Sequence, residues 1–240
     1  MLNHAQIQTL AKIGRLGVRC CDGIPISVSC ASNRKIKYPY DQFRKEMGLE
    51  DLRLNWLLGS NNMIAGGSVL NWIWGENTQG DIDFFFKDEE SADIFVEFIK
   101  PIGFKLTAET NYAATYFESL QGLILQVVGD STHRADHSPY NSPAAQEIVA
   151  YGTPEIIIDN FDFHVCKFAV DSDYLHTTSR AIQDLLKMTI DNTGKEKNYL
   201  ISRILKYNRK GFFLSPKIKR YMKYDKPIIQ NKDRDEQKWI

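Results

Sequence analysis

The chain has 240 residues, 43% of them hydrophobic, so it can bury a substantial core and is not an intrinsically disordered protein. Lysine and arginine balance aspartate and glutamate at 30 each, which gives no net charge. The apolar runs are shorter than the roughly 20 residues of a membrane span, and the N-terminus lacks the apolar core of a signal peptide. We therefore expect a soluble cytoplasmic protein that does not bind membranes.

Charge is unevenly distributed along the chain. Residues 195–226 carry eleven basic side chains against two acids, which leaves 19 basic and 28 acidic side chains elsewhere. This distribution predicts a basic C-terminal module attached to an acidic body.

The chain has four cysteines: Cys20, Cys21, Cys30 and Cys166. They show no paired C-x-x-C spacing, so the sequence predicts neither a zinc ribbon nor a disulfide framework, and we expect buried free thiols. His133 and His137 stand in a polar segment without a cysteine or further histidine beside them. A surface loop is therefore favoured there over a zinc site.

The predicted elements begin with a helix over about residues 5–16, a short apolar segment "GIPISVSC" that suits a strand, and two segments with helical spacing before Gly59. "NNMIAGG" then predicts a strand that ends in a glycine turn, and "SVLNWIWG" a helix with Ser68 as its N-cap. "GDIDFFFK" predicts a strand, and the acid-led segment after it an amphipathic helix ended by Pro101 and Gly103.

Further along, "AATYFES" and "LILQVVG" predict a hairpin, and "TPEIIIDNFDFHVCKFAVD" predicts one long strand. The tail predicts two or three helices. The fold class is therefore α/β (α+β), with a mixed sheet flanked by helices and a helical C-terminal module. We predict an N-terminal extension of unknown role over 1–52, a core over 53–171 and the basic helical module over 172–240.

Two aspartates stand inside the apolar strand "GDIDFFFK". Side chains alternate between the faces of a strand, so Asp81 and Asp83 share one face while Ile82 and Phe84 point into the core. Two adjacent carboxylates repel each other unless a cation lies between them. Mg²⁺, or Mn²⁺, suits such a pair, because it takes oxygen ligands and leaves positions for water and phosphate.

The glycine turn before this strand suits a phosphate. Gly66 and Gly67 have no side chains to block an anion, and Ser68 opens a helix whose N-terminus attracts one. A triphosphate held between this turn and a metal on the aspartates is the interpretation that joins the two features.

At this point the chain resembles the DNA polymerase β-like nucleotidyltransferase superfamily. The resemblance rests on Gly66-Gly67-Ser68, then twelve residues, then Asp81-Ile82-Asp83 before three phenylalanines. The family's third metal-binding acid lies on a later, neighbouring strand. Asp159 and Asp162 are the candidates, and we choose Asp162 because it stands between Phe161 and Phe163.

The resemblance implies a nucleotidyltransferase that moves a nucleoside monophosphate from a nucleoside triphosphate to an acceptor and releases pyrophosphate. Asp81, Asp83 and Asp162 would be the catalytic metal ligands. The acceptor stays open between an RNA end, a protein and a small molecule. CCA-adding enzymes typically follow the glycines with Val-Arg-Asp, whereas this chain has Val69-Leu70-Asn71, which argues against that activity.

The basic tail supplies further candidates for substrate binding. Arg203 and Lys206 fall at helical spacing on one face, with aromatic residues among the charges, which suits a triphosphate or an RNA backbone. A solvated helix face whose aromatics form a local core is the alternative. For the whole protein, the alternative function is a non-catalytic nucleotide- or nucleic-acid-binding protein on the same fold.

Overall fold

In the computed structural model, the described residues are 3–23, 39–47, 62–75, 80–110, 113–119, 122–129, 151–193 and 200–224. The chain divides into two units. The first comprises Met1–Phe161 and Cys166–Ser179, and the second comprises Asp162–Val165 and Arg180–Ile240.

The first unit contains a mixed sheet of eight strands among the described residues. In chain order they are β1 (Val18–Cys20), β2 (Asn62–Ala65), β3 (Ile82–Phe86), β4 (Lys105–Thr110), β5 (Ala113–Glu118), β6 (Leu123–Val128), β7 (Phe168–Val170) and β8 (Leu175–Thr177). Their order across the sheet is β1-β8-β7-β2-β3-β6-β5-β4. The pairs β1–β8 and β3–β6 are parallel and the other pairs are antiparallel. The predicted mixed sheet is confirmed.

The helices of the first unit are α1 (His4–Arg15), α2 (Pro39–Glu46), α3 (Gly67–Trp74), α4 (Glu89–Ile99) and α5 (Pro154–Asp159). Helix α4 begins as its sequence predicts, because the Asp88 side chain accepts a hydrogen bond from the Ser91 amide. Phe95 lies on its buried face and packs on Phe84 and Phe86 of β3. These contacts fix β3 from the face opposite Asp83.

Two details of the sequence prediction are wrong. Gly66, not Ser68, is the N-cap of α3, and Ser68 lies in the first turn. The segment "TPEIIIDNFDFHVCKFAVD" is not one strand: it forms α5, a 3₁₀ turn over His164–Cys166 and only then β7. Thr153 as N-cap and Pro154 at the first helical position begin a helix that overrides the strand preference of three consecutive isoleucines.

The second unit contains helices α6 (Ser179–Leu186, whose first residue belongs to the first unit), α7 (Leu200–Arg209) and α8 (Pro216–Tyr224), and strands β9 (Thr189–Ile190) and β10 (Phe213–Leu214), which pair in parallel. The three predicted tail helices are confirmed within the described residues. Ile204 and Tyr207 of α7 are buried, and the Tyr207 ring contacts the edges of Phe163 and Phe212. This small aromatic core is the alternative that the sequence left open for the tail.

Some predictions lie outside the described residues: the strand "GIPISVSC", the helical segment before Gly59, and the loop with His133 and His137. None of the helices in the described part of the chain has the length and apolar character needed to cross a bilayer. Cys20, Cys21 and Cys166 are free thiols, but only Cys166 is fully buried. Cys30 falls outside the described residues.

Candidate active site

The turn between β2 and α3 has a backbone conformation that only glycine adopts readily. Gly66 has φ +82° and ψ −134°, and a side chain there would be strained. A Cβ atom on Gly66 would lie 3.7 Å from Asp83 Oδ2 and 3.7 Å from the ring of Phe161. The chain therefore passes close beside the carboxylate of Asp83.

The Gly66 amide itself is not available to a ligand, because it donates a hydrogen bond of 2.9 Å to the Phe168 carbonyl of β7. The bond instead fixes the turn to the sheet. The amides of Gly67 and Ser68 follow in the first turn of α3. Amides at the start of a helix have no carbonyl acceptor within that helix.

The hydroxyl of Ser68 lies at the same place. The residue is 6% exposed, and its Oγ is buried with no hydrogen-bond partner among the residues that the structure describes. A buried hydroxyl without a partner costs free energy. At a helix N-terminus, an anionic ligand would satisfy both the hydroxyl and the amides.

Asp81 and Asp83 alternate with buried neighbours as the sequence predicts. Ile82 and Phe84 are buried, whereas Asp83 is half-buried in β3 and Asp81 is exposed just before it. The two carboxylates are thus accessible from one side of the strand. Oxygen donors of this kind, with one exposed, fit Mg²⁺, which keeps part of its water shell.

Gln126 of β6 is a polar residue beside this pair that the sequence prediction missed. It is the register partner of Asp83, and its Nε2 lies 3.5 Å from Asp81 Oδ2. A signal was present, because Gln126 interrupts the apolar strand "LILQVVG" as the aspartates interrupt theirs. Its amide can orient Asp81 or a water molecule beside it.

Asp162 has different surroundings. It lies in the second unit, outside any strand, and is 1% exposed. Arg203 of α7 holds it: Nη2 donates a 3.0 Å hydrogen bond to Oδ1, and Nε lies 2.6 Å from Oδ2. The prediction that Asp162 lies inside a strand, which was the reason for choosing it, is therefore wrong. Its role as a metal ligand stays a prediction.

The alternative acid and the second basic candidate lie elsewhere. Asp159 ends α5 in the first unit, and its Oδ1 accepts a 2.9 Å hydrogen bond from Lys167. Lys206 is exposed on α7. Tyr207 and Phe212 are buried and contribute to the core rather than to an aromatic surface for stacking.

The family model of Gad2, the Gabija anti-defense 2 family protein, matches residues 34–188 of this chain, which is more than half of its length. The chain belongs to the Gabija anti-defense 2 family. No curated protein sequence matches this family member.

Solved structures resemble this Gad2 family chain in fold. The Thermotoga maritima CCA-adding enzyme complexed with tRNA-CCA has a TM-score of 0.55 at 18% identity, over 77% of this chain and 44% of that chain. A CCA-adding enzyme in complex with CTP gives a TM-score of 0.55 at 18% identity, with the same 77% and 44% coverage. Apo form I of a CCA-adding enzyme has a TM-score of 0.53 at 19% identity, over 79% of this chain and 46% of that chain.

This Gad2 family chain therefore spans less than half the length of the enzymes it resembles. CCA-adding enzymes belong to the polymerase β-like nucleotidyltransferase superfamily, so the likeness gives this chain a nucleotidyltransferase-like fold. At this identity, the likeness extends to the fold alone. That Val69-Leu70-Asn71 makes this chain unsuited to CCA addition stays a prediction.

Proposed function

We propose that this protein is a metal-dependent nucleotidyltransferase that uses a nucleoside triphosphate. The observation that carries the proposal is the Ser68 hydroxyl, buried without a partner among the described residues at the start of α3. It stands beside a glycine turn that approaches the Asp83 carboxylate. A triphosphate with its cation is the ligand that suits an anion-binding helix end beside two carboxylates.

Each residue has a role in this proposal. Asp81 and Asp83 hold Mg²⁺ or Mn²⁺, and Ser68 with the first-turn amides of α3 holds the terminal phosphates. Bound divalent ions would supply neutralisation of the leaving pyrophosphate and activation of the attacking hydroxyl. Gln126 orients Asp81 through its side-chain amide. Gly66 keeps the turn open beside Asp83.

In this proposal, one condition applies to the roles of Asp162, Arg203 and Lys206. The Asp162 carboxylate is engaged by Arg203, so its service as third metal ligand requires that Arg203 release it. Arg203 would then be available for a phosphate, together with the exposed Lys206. A second candidate function, a non-catalytic nucleotide-binding protein, is favoured by this ion pair, because the pair neutralises the predicted third acid.

The acceptor is proposed from chemistry and from the relatives. Solved relatives are complexed with tRNA, CTP and ATP, which supports nucleotide and RNA partners. The family is described as anti-defense. A component of the Gabija defence, either a protein or a nucleic acid, is therefore a further acceptor to test. An RNA end is the first to test, because the tail is basic.

The test is calorimetric titration with non-hydrolysable ATP, CTP, GTP and UTP analogues, with and without Mg²⁺. We expect binding that requires Mg²⁺ and that is lost in Asp81→Asn/Asp83→Asn but kept in Asp93→Asn, an exposed acid of α4. Binding that is absent, or indifferent to metal and to both aspartates, would refute the proposal.

A second arm uses Ser68→Ala. Loss of a hydrogen bond to a charged phosphate costs about 1.5–3 kcal/mol, so the analogue should bind roughly ten- to a hundredfold more weakly. The free protein should unfold at the same urea concentration or a higher one, because the substitution removes an unsatisfied buried hydroxyl. Loss of stability without loss of affinity would assign Ser68 to folding alone.

A further inference from the structure

Three residues far apart in the sequence meet at the β1–β8 side of the sheet in the first unit. Cys21 directly follows β1, His176 lies in β8, and Glu155 lies in the first turn of α5. The thiol, a carboxylate oxygen and an imidazole nitrogen all lie within 4.8 Å of one another. The backbone holds Cys21 there, because its amide donates a 2.8 Å hydrogen bond to the carbonyl of Thr177, next to His176.

The imidazole of His176 is oriented toward this cluster by a carboxylate behind it. His176 is 1% exposed, and its Nε2 lies 2.7 Å from Asp171 Oδ2. The other oxygen of Asp171 accepts hydrogen bonds from the amides of Asp173 and Tyr174, at 2.9 and 2.7 Å. Asp171 is therefore fixed, and its carboxylate accepts a hydrogen bond from the Nε2–H group of the ring.

The second ring nitrogen, Nδ1, lies on the side of Glu155. Nδ1 of His176 is buried and has no hydrogen-bond partner in the described part of the chain, and Glu155 Oε1 lies 3.8 Å from it. A buried ring nitrogen without a hydrogen bond is unfavourable, and a cation bound between this nitrogen, the carboxylate and the thiol would satisfy all three.

The chemical types of the three ligand atoms indicate which cation the cluster would bind. Mg²⁺ and Ca²⁺ prefer oxygen ligands, whereas Zn²⁺ binds sulfur, nitrogen and oxygen together in a tetrahedron. With Zn²⁺ bond lengths of roughly 2.0–2.3 Å, tetrahedral ligand atoms lie about 3.5 Å apart, so these side chains need to approach by about 1 Å. A histidine that binds zinc through one nitrogen and donates the other to a carboxylate is a recurrent arrangement.

We propose that Cys21, Glu155 and His176 bind Zn²⁺ and that Asp171 is the positioning residue behind His176. Two of the three ligands, Cys21 and Glu155, also line a cleft of about 430 Å³ together with Asp22, Asp159 and Thr178, from which a fourth ligand would enter. Three protein ligands with one open position is the coordination of zinc sites that bind water or a substrate. The site shares no residue with the proposed nucleotide site, so the two proposals succeed or fail separately.

The test uses the full chain, stripped of metal with a chelator and titrated with Zn²⁺ against a competing zinc indicator. We expect one Zn²⁺ per chain in the native sequence and in Cys20→Ala, a neighbouring half-buried thiol whose Sγ bonds to Asp22 instead. Cys21→Ala and Glu155→Gln should lose the stoichiometric binding. The Glu155 side chain is 42% exposed, so Glu155→Gln should leave folding intact.

Two further readouts separate ligation from a structural role. Asp171→Asn keeps the oxygen that accepts the two amides but reverses the polarity toward His176, so Zn²⁺ affinity should fall about 10- to 100-fold. With Co²⁺, a thiolate-to-metal absorption band should appear in the native chain and be missing in Cys21→Ala.

The last arm needs no substitution. Zn²⁺ should protect Cys21, but not Cys20, from alkylation in the native chain, as read by mass spectrometry of the peptides. Equal alkylation of Cys21 with and without Zn²⁺, or equal zinc affinity in Cys21→Ala and the native chain, would overturn the proposal. In that case, the Asp171 and Glu155 carboxylates beside His176 belong to a structural polar cluster without a metal.

Discussion

Asp83 and Asp162 look alike in the sequence, because each stands between two hydrophobic residues and precedes a phenylalanine, yet their surroundings differ. Asp83 is half-buried in β3, where the Gly66 turn approaches its carboxylate. Asp162 is buried outside any strand and is held by the guanidinium of Arg203. The comparison teaches that an acid among apolar residues either stays partly exposed on a strand or is buried in an ion pair.

Single substitutions of the two acids test this comparison most strongly. Asp83→Asn replaces a charged ligand of Mg²⁺ with a neutral one, which removes several kcal/mol of metal interaction. We expect the Mg²⁺-dependent binding of a nucleoside triphosphate analogue to weaken at least about 100-fold. Asp162→Asn should leave most of that binding in place. An equal loss in both variants would make Asp162 the third metal ligand, as its sequence suggested, and would remove the distinction.

Stability should respond in the opposite order. Asp162→Asn leaves the Arg203 charge without its partner; such a loss costs about 3–5 kcal/mol in a fully buried pair. Because the Arg203 side chain is 35% exposed, we expect about 2 kcal/mol in urea unfolding. The double variant Asp162→Asn/Arg203→Met should recover part of the loss, because the uncompensated charge is gone. No recovery would mean that the Asp162 backbone region, rather than the ion pair, carries the effect.

The glycine turn gives a finer test on the Asp83 side. Gly66→Ala forces a Cβ onto a backbone with φ +82° and ψ −134°, outside the left-handed helical region, at a cost of about 1–3 kcal/mol. Gly122→Ala is the matched control, because Gly122 has φ +70° and none of the residues that the structure describes lies within 4 Å of its added Cβ. Both should lower stability, but only Gly66→Ala should also weaken analogue binding. Equal affinity in the two variants would separate the turn from the nucleotide site.

The sequence predicted the local framework better than the surroundings of single residues. Alternation and turn residues located β2, α3, β3, α4 and the β5–β6 hairpin, because each depends on neighbours within a few residues. The isoleucine run after Pro154 misled the prediction, although Thr153-Pro154 was a helix-start signal that could have been read. The partner of Asp162 lies 41 residues away, and periodicity carries no information on such pairs.

The same limit explains the cluster at Cys21. Its residues come from the end of an edge strand, a helix start and a later strand, and only the pairing of β1 with β8 and the packing of α5 bring residues 21, 155 and 176 together. Spacing rules for zinc sites detect ligands that are close in the chain, so they suggested free thiols here. The unmatched imidazole nitrogen becomes visible only once burial and hydrogen bonds are known.

A third carboxylate, Asp88, extends the comparison with the smallest expected effect. It is fully exposed and caps α4, and the hydrogen bonds from the side chain and the amide of Ser91 lower its pKa. A lowered pKa in the folded state means that the carboxylate stabilises folding at a pH above its unfolded pKa of roughly 3.9. That contribution is lost as the pH falls through the lower folded pKa.

The measurement is urea unfolding of the native chain, Asp88→Ala and Asp88→Asn between neutral and acidic pH. Asp88→Ala should unfold at lower urea than the native chain at neutral pH, and the difference should shrink as Asp88 is protonated. Asp88→Asn keeps an acceptor for the Ser91 amide without the charge, so its difference from Asp88→Ala should not depend on pH. A native-to-Ala difference that is constant down to the most acidic pH would mean that the cap acts through its hydrogen bonds alone. Asp88 would then differ from Asp162, whose charge pairs with Arg203, and from Asp83, whose charge is proposed to hold a metal.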